Sequence, residues 1–507
     1  MRNIFTIIFI ASLLVSCDFF DISGYGNFWA NNFENDLQIP YKVSADLMVE
    51  GNYCNVWAEK GSGVSLGAAK MVADEFDKNI YNVMIDNFGI EIDYNMISHL
   101  YDNNANIPVN IKYNTMEFAD VLGDNDGKLC ILLLDIKDDY KKGVNDSYVA
   151  GYFWAGDLIL DEHGSNRRDM IYIDTNPGMR SEEAVKEAFT TLAHEMQHLM
   201  NFVTGVVKRY KVTNGRINVY SMDIWIDEGL SSAAEYIYKG SHVKDRVDWF
   251  VENGSTQRNM SGLIDQGNNF FVWGNRGTSD KTGQSTSMYA ILDDYSTVYL
   301  FFQWLRLQSN DSGIYKKIIS SAKYDHDAVV GNIENYNTWD DLLKTWLAAN
   351  YINAPDGAYG YKNDPVLKNI RPPAPPSLAP NLLFSPGEGV YSLIGKEFNK
   401  PVDKNNIKYI VLTKTDPFVS NSAAEGLTLL TFNANSSLNS SNYTKGSPES
   451  GSTTGTPAAS AVSLDSKNPS GRFTGAPLHP LRIDATEMLW QGVIGINTLE
   501  WDSKNEE

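Results

Sequence analysis

A chain of 507 residues is longer than one compact core needs, and about two to four folding units are expected. At 43% hydrophobic and 12% aromatic it has the material for a large core. A formal net charge of −21, from 42 basic against 63 acidic residues, argues against a nucleic-acid partner, which needs a basic surface.

The chain begins with Arg2 and the apolar run IFTIIFIASLLVSC, too short to cross a bilayer comfortably and of the kind that forms a signal-peptide core. The run ends in Leu14-Val15-Ser16-Cys17, which resembles a bacterial lipobox. Residues 1–17 are therefore expected to be a lipoprotein signal peptide. Lipid on Cys17 would anchor the chain to a membrane of the bacterial cell envelope, facing the periplasm or the exterior. An ordinary secretory signal that happens to carry a cysteine is the alternative. Cys54 and Cys130 lie in strand-like runs, where an exported chain could join them in a disulfide or leave two buried thiols.

Residues 18–44 show no clear periodicity and read as a tether. Residues 45–60 look extended, and 65–87 space their apolar residues as a helix does. The continuous apolar run in Gly127–Tyr140 predicts a buried strand. DMIYIDT (169–175) predicts a short one closed by Asn176-Pro177-Gly178. Ser181 is a good N-cap, and Glu182 and Glu183 suit the positive end of the helix that follows. Val185, Phe189, Leu192, Met196 and Leu199 give that helix one apolar stripe. His194 and His198 lie off the stripe, one turn apart on one face. Helical patterns follow at 224–238, 244–252, 293–308, 311–322 and 338–351. The proline-rich stretch 370–380 reads as a stiff linker. Strand-like segments come after it, interrupted near 434–475 by a stretch too polar to pack.

The chemistry centres on His194-Glu195-Met196-Gln197-His198. Histidines at i and i+4 of a helix can offer two imidazole nitrogens to one zinc ion, and the glutamate between them can take a proton from the attacking water. A catalytic zinc needs a third protein ligand. Downstream stands Trp225-Ile226-Asp227-Glu228-Gly229-Leu230-Ser231-Ser232-Ala233-Ala234-Glu235. This segment resembles the WLNEGF-type segment of glutamate-ligand zinc peptidases, the group of thermolysin and aminopeptidase N. With NYCNVWAE, GDNDGKLCILLLDI, AGYFWAGDL and NRRDMIYIDTNPG, it is similar to the hyicolysin-like family of bacterial metallopeptidases. The resemblance covers roughly residues 45–350.

The resemblance implies an α+β fold: a thermolysin-like zincin catalytic domain followed by a β-rich C-terminal domain. Residues 45–205 would form an N-terminal α/β, β-rich subdomain ending in the metal helix, 206–369 a helical subdomain, and 381–507 the last domain. It implies one catalytic Zn2+ held by His194, His198 and Glu228, with Glu195 as general base. The spacing from His198 to Glu228, 29 intervening residues, is longer than in aminopeptidase N, and Asp227 stands where an asparagine is usual. Glu235, two turns past Glu228, could hydrogen-bond a ligand histidine. Tyr295 is expected to hydrogen-bond the oxyanion, with Tyr299 or Tyr289 as substitutes. The strand Met170–Asp174 would pair with the substrate backbone as a sheet edge. TMEF (115–118) lacks the glycine and asparagine of an aminopeptidase amine-binding element, which favours an endopeptidase acting on proteins or peptides. A surface-binding or adhesin lipoprotein on an inactive peptidase scaffold is the alternative function.

Overall fold

The computed structural model describes residues 25–34, 39–90, 127–144, 147–159, 163–213, 216–252, 287–372, 386–394, 406–415 and 427–436, strands at 461–464 and 478–484, and a few positions between. The signal segment with Cys17, most of the linker 370–380 and most of the insert 434–475 lie outside the described residues.

The fold is α+β. A seven-stranded sheet runs in the order β1 (Tyr25–Asn32), β2 (Ile39–Glu50), β3 (Cys54–Glu59), β4 (Leu129–Leu134), β6 (Met170–Asp174), β5 (Ser147–Trp154) and β13 (Leu478–Asp484). β3, β4 and β6 are parallel, and β5 runs antiparallel to β6. β4 (LCILLL) is buried at every residue, as a central strand covered on both faces must be. Two expectations are corrected. The stretch 18–44 is not only a tether, because β1 and the start of β2 lie within it and pair along their length. Met170–Asp174 is not a sheet edge, because β4 and β5 flank it. β5 lies antiparallel between β6 and β13, and β13 takes the outer position.

Cys54 and Cys130 are both buried and not disulfide-bonded. They occupy successive register positions of neighbouring strands, with Cys54 opposite Leu129 and Asn55 opposite Cys130. Side chains alternate across a sheet, so the two thiols enter the cores on opposite faces and no disulfide joins them.

One sheet face carries α1 (Leu66–Glu75), a π-helical turn at Phe76–Ile80, and α2 (Tyr81–Phe88). The 27-residue helix α3 (Glu182–Lys208) lies against the same face. Ser181 Oγ accepts from Ala184 N at 3.2 Å to cap it. A hairpin of β7 (Tyr210–Thr213) and β8 (Arg216–Tyr220) leads to α4 (Ile224–Lys239), which ends on Gly240 at φ 65°. Then follow α5 (Lys244–Glu252), α6 (Ser287–Gln308), α7 (Ile314–Ile319), α8 (His326–Val330) and α9 (Trp339–Ile352). β9 (Gly389–Leu393), β10 (Ile407–Leu412) and β11 (Thr428–Asn433) form a small antiparallel sheet, and β12 (Ala461–Leu464) pairs with β8. That small sheet shares its core with the helices: Tyr391 and Phe432 pack in the same cluster as Trp346, and Tyr391 Oη donates to Leu347 O at 2.6 Å. Among the described residues no helix is long and apolar enough to cross a membrane.

Candidate metal centre

The site forms where α3, α4 and α6 meet. From Thr191 to Val207 every residue of α3 is buried, so the histidines off its apolar stripe face other helices rather than solvent. Two glycines permit the close packing. At Gly151 of β5 a Cβ would lie 2.7 Å from Thr191 Cγ2, one turn before His194. At Gly229 of α4 it would lie 2.3 Å from Phe302 Cε2 of α6.

His194 and His198 stand with ring centroids 4.9 Å apart. Glu228 Oε2 lies 3.3 Å from His194 Nε2 and 3.5 Å from His198 Nε2. Atoms bound about 2.0–2.2 Å from a tetrahedral zinc ion sit about 3.4 Å from one another. The three atoms are therefore spaced as zinc ligands are. They form a buried group that could hold a metal ion. His194 Nε2 is buried without a hydrogen-bond partner, as a ring nitrogen reserved for a cation would be.

Behind each histidine stands a carboxylate. Glu235 Oε1 is 2.7 Å from His194 Nδ1. Asp227 Oδ2 is 3.1 Å from His198 Nδ1, with Ser231 Oγ at 3.2 Å. Such partners keep the proton on Nδ1 and leave the Nε2 lone pair for a metal. Behind each carboxylate stands an arginine. Arg246 Nη2 is 3.4 Å from Glu235 Oε1. Arg209 reaches Asp227 through Asn201: its Nη2 donates to Asn201 Oδ1 at 2.6 Å, and Asn201 Nδ2 donates to Asp227 Oδ1.

The electrostatics favour a cation. Burial pushes the Glu228 carboxyl up, but the His198 and His194 rings outweigh it and hold it well below the ordinary carboxylate range. Burial likewise opposes charge on His198, yet Asp227 and Glu228 raise its pKa well above the ordinary value. Glu195, fully buried, is pushed up to about 7 by desolvation, which the imidazoles and the Phe153 amide of β5 offset only in part. With the imidazoles neutral, the Glu228, Asp227 and Glu235 carboxylates against the Arg209 and Arg246 guanidiniums leave one negative charge, and ionised Glu195 adds a second. A divalent ion neutralises the set, so the donors present fit zinc in charge as well as spacing.

Tyr295 is 1% exposed, its ring centroid is 6.1 Å from that of His194, and burial together with the nearby Glu228 carboxylate pushes its hydroxyl pKa well above the ordinary value. Tyr299 is committed elsewhere: its hydroxyl accepts from Val243 N at 3.0 Å and meets His242 Nδ1 at 3.0 Å. The Tyr289 side chain is outside the described residues, as is Cys17. The structure thus gathers His194, Glu195, His198, Glu228, Glu235 and Tyr295 into one buried cluster. Sequence reasoning missed Asp227, Asn201, Arg209 and Arg246. Asp227 had a signal, an acid adjoining the glutamate ligand where an amide was expected. The others approach only through helix packing.

No protein-family model matches the chain. Over 351 residues it is 29% identical to the Neutral metalloprotease ShpI of Staphylococcus hyicus, a match spanning 67% of this chain and 66% of that protein. The similarity extends over slightly less than two thirds of that relative and supports a metallopeptidase family for this chain.

Proposed function

We propose that the chain is a zinc-dependent endopeptidase acting on proteins or peptides, held at the bacterial cell envelope by lipid on Cys17. The observation that carries the reading is the approach of Glu228 Oε2 to His194 Nε2 and His198 Nε2, at 3.3 and 3.5 Å, beside the buried carboxylate of Glu195. His194, His198 and Glu228 would hold the ion. A bound zinc ion supplies Lewis acidity, which makes water nucleophilic near neutral pH and polarises a carbonyl.

Glu195 is the general base. It takes the proton of the attacking water and passes it to the leaving amine. The Tyr295 hydroxyl donates a hydrogen bond to the oxygen on which negative charge develops. Glu235 and Asp227 keep the two imidazoles in the tautomer that presents Nε2. The Phe153 amide of β5 faces Glu195 and offsets part of its burial.

Zinc content and casein cleavage test the reading together. One zinc per chain is expected, and a chelator should remove it along with the cleavage. Glu195→Gln should keep the metal and lower kcat about 100-fold or more. Cleavage at the wild-type rate by that variant overturns the mechanism. Undiminished zinc in Glu228→Ala overturns the ligand assignment.

A further inference from the structure

Arg246 touches two parts of the centre that lie on different helices. Its Nη2 is 3.4 Å from Glu235 Oε1 on α4, and its guanidinium carbon is 4.4 Å from the Tyr295 ring centroid on α6. The side chain is 12% exposed, and its Nε is buried with no hydrogen-bond partner. Burying a guanidinium with an unmet donor is costly. The fully buried residues of α5, Val247, Trp249 and Phe250, are apolar, and on that helix the charge of Asp245 acts on Arg246. Besides Asp245 of its own helix, Arg246 meets the Glu235 carboxylate and the Tyr295 ring face, and both of these lead into the metal centre: Glu235 to His194, and Tyr295 to Glu228. A planar guanidinium can stack on a ring while an edge N–H meets a carboxylate, which the point charge of a lysine cannot do as well.

We propose that Arg246 is a positioning residue that couples the metal site to the Tyr295 hydroxyl, holding Glu235 against His194 with its edge and the Tyr295 ring with its face. The proposal rests on the peptidase reading. Through Glu235 it governs how tightly the ion is held. Through Tyr295 it governs turnover, without touching substrate.

The test combines zinc affinity, read by competition with a chromophoric chelator, with kcat and KM at saturating zinc. Arg246→Met should weaken zinc binding about tenfold or more. It should also lower kcat while KM changes less than about twofold, since an interaction made only in the transition state is lost. Tyr295→Phe should lower kcat and keep zinc affinity. In that background Arg246→Met should cost little further kcat, because the ring it orients has no hydroxyl. Arg246→Lys, which keeps a charge near Glu235, should recover zinc affinity but not kcat; it also serves if the methionine variant does not fold. Wild-type zinc affinity in Arg246→Met overturns the proposal. So does a kcat loss that is equally large with and without the Tyr295 hydroxyl, or full kcat in Arg246→Lys. If the wild-type chain neither holds zinc nor cleaves casein, the peptidase reading itself falls and the proposal falls with it. A zinc-loaded, active wild type with indifferent Arg246 variants sinks the proposal alone.

Discussion

Glu235 Oε1 sits 2.7 Å from His194 Nδ1 although the two residues are on different helices, α4 and α3. The contact holds the ring in the tautomer that would offer Nε2 to a metal. Glu235→Ala leaves a buried Nδ1–H without its acceptor and frees the ring to turn. Zinc affinity should fall about 10- to 100-fold, as is usual when a carboxylate behind a ligand histidine is removed. Glu235→Gln keeps an acceptor and should fall less. Chelator competition ranks the three proteins, and equal affinities would remove Glu235 from the site.

Removing the metal should soften the whole helical layer. The proposed ligands come from α3 and α4, so an ion bound by the native fold alone would add about 2.7 kcal/mol when free zinc is 100 times its Kd. Calorimetry with and without chelator should show a lower Tm for the stripped wild type. Glu228→Ala should show a much smaller difference between the two conditions.

Gly229 adjoins Glu228, the proposed third ligand, and lets α4 and α6 touch. An added Cβ would lie 2.3 Å from Phe302 Cε2, and Phe302 is itself fully buried. Gly229→Ala must move α6 or the ring, at a cost of about 1–3 kcal/mol for an overfilled core. Because α6 also carries Tyr295, kcat should drop together with the urea midpoint. A variant that is destabilised yet turns over normally would show that α6 is not held through this contact.

Legibility in the sequence followed the range of the forces involved. α3 could be read because its cap, its first-turn acids and its apolar spacing are all local, and the pair His194–His198 is set by helical pitch alone. Glu235 could be placed because two turns separate it from Glu228. The hairpin of β7 and β8 carried a local signal that went unused, Asn214-Gly215 between two strand-like runs. β1 was harder: its short alternating pattern, YGNFWANN, gains sense only from pairing with β2. The exposed position of β6 was misjudged because strand order is not written in any one strand. Arg246 and Arg209 read as ordinary helix and loop residues, since their partners lie 11 residues away for Glu235 and 110 away for Ile319. Only the docking of helices shows that each guanidinium ends behind a carboxylate.

Stability should depend on pH through Asp157, a fully buried acid in the turn after β5. Its Oδ2 accepts from Tyr172 Oη at 2.6 Å, and its Oδ1 accepts from Asn166 N at 2.8 Å. Tyr172 Oη and Asn166 Nδ2 lie 3.0 and 2.9 Å from Trp29 O, so the network ties β1 to β6 and to the turn after β5. Burial pushes the Asp157 carboxyl up to about 7 despite these donors, whereas the unfolded chain should titrate near the ordinary 3.8. The folded state therefore holds this proton more tightly. Its contribution to stability is complete below about pH 4 and is lost as pH rises toward 7, by up to about 4 kcal/mol at about 1.4 kcal/mol per pKa unit. Asp157→Asn, which stays neutral, removes that dependence. In urea titrations of the two proteins between pH 4.5 and 8, the wild type should lose ground to the variant as pH rises. A gap between them that stays constant across the range would mean that Asp157 is ionised in the fold throughout and that its donors outweigh its burial.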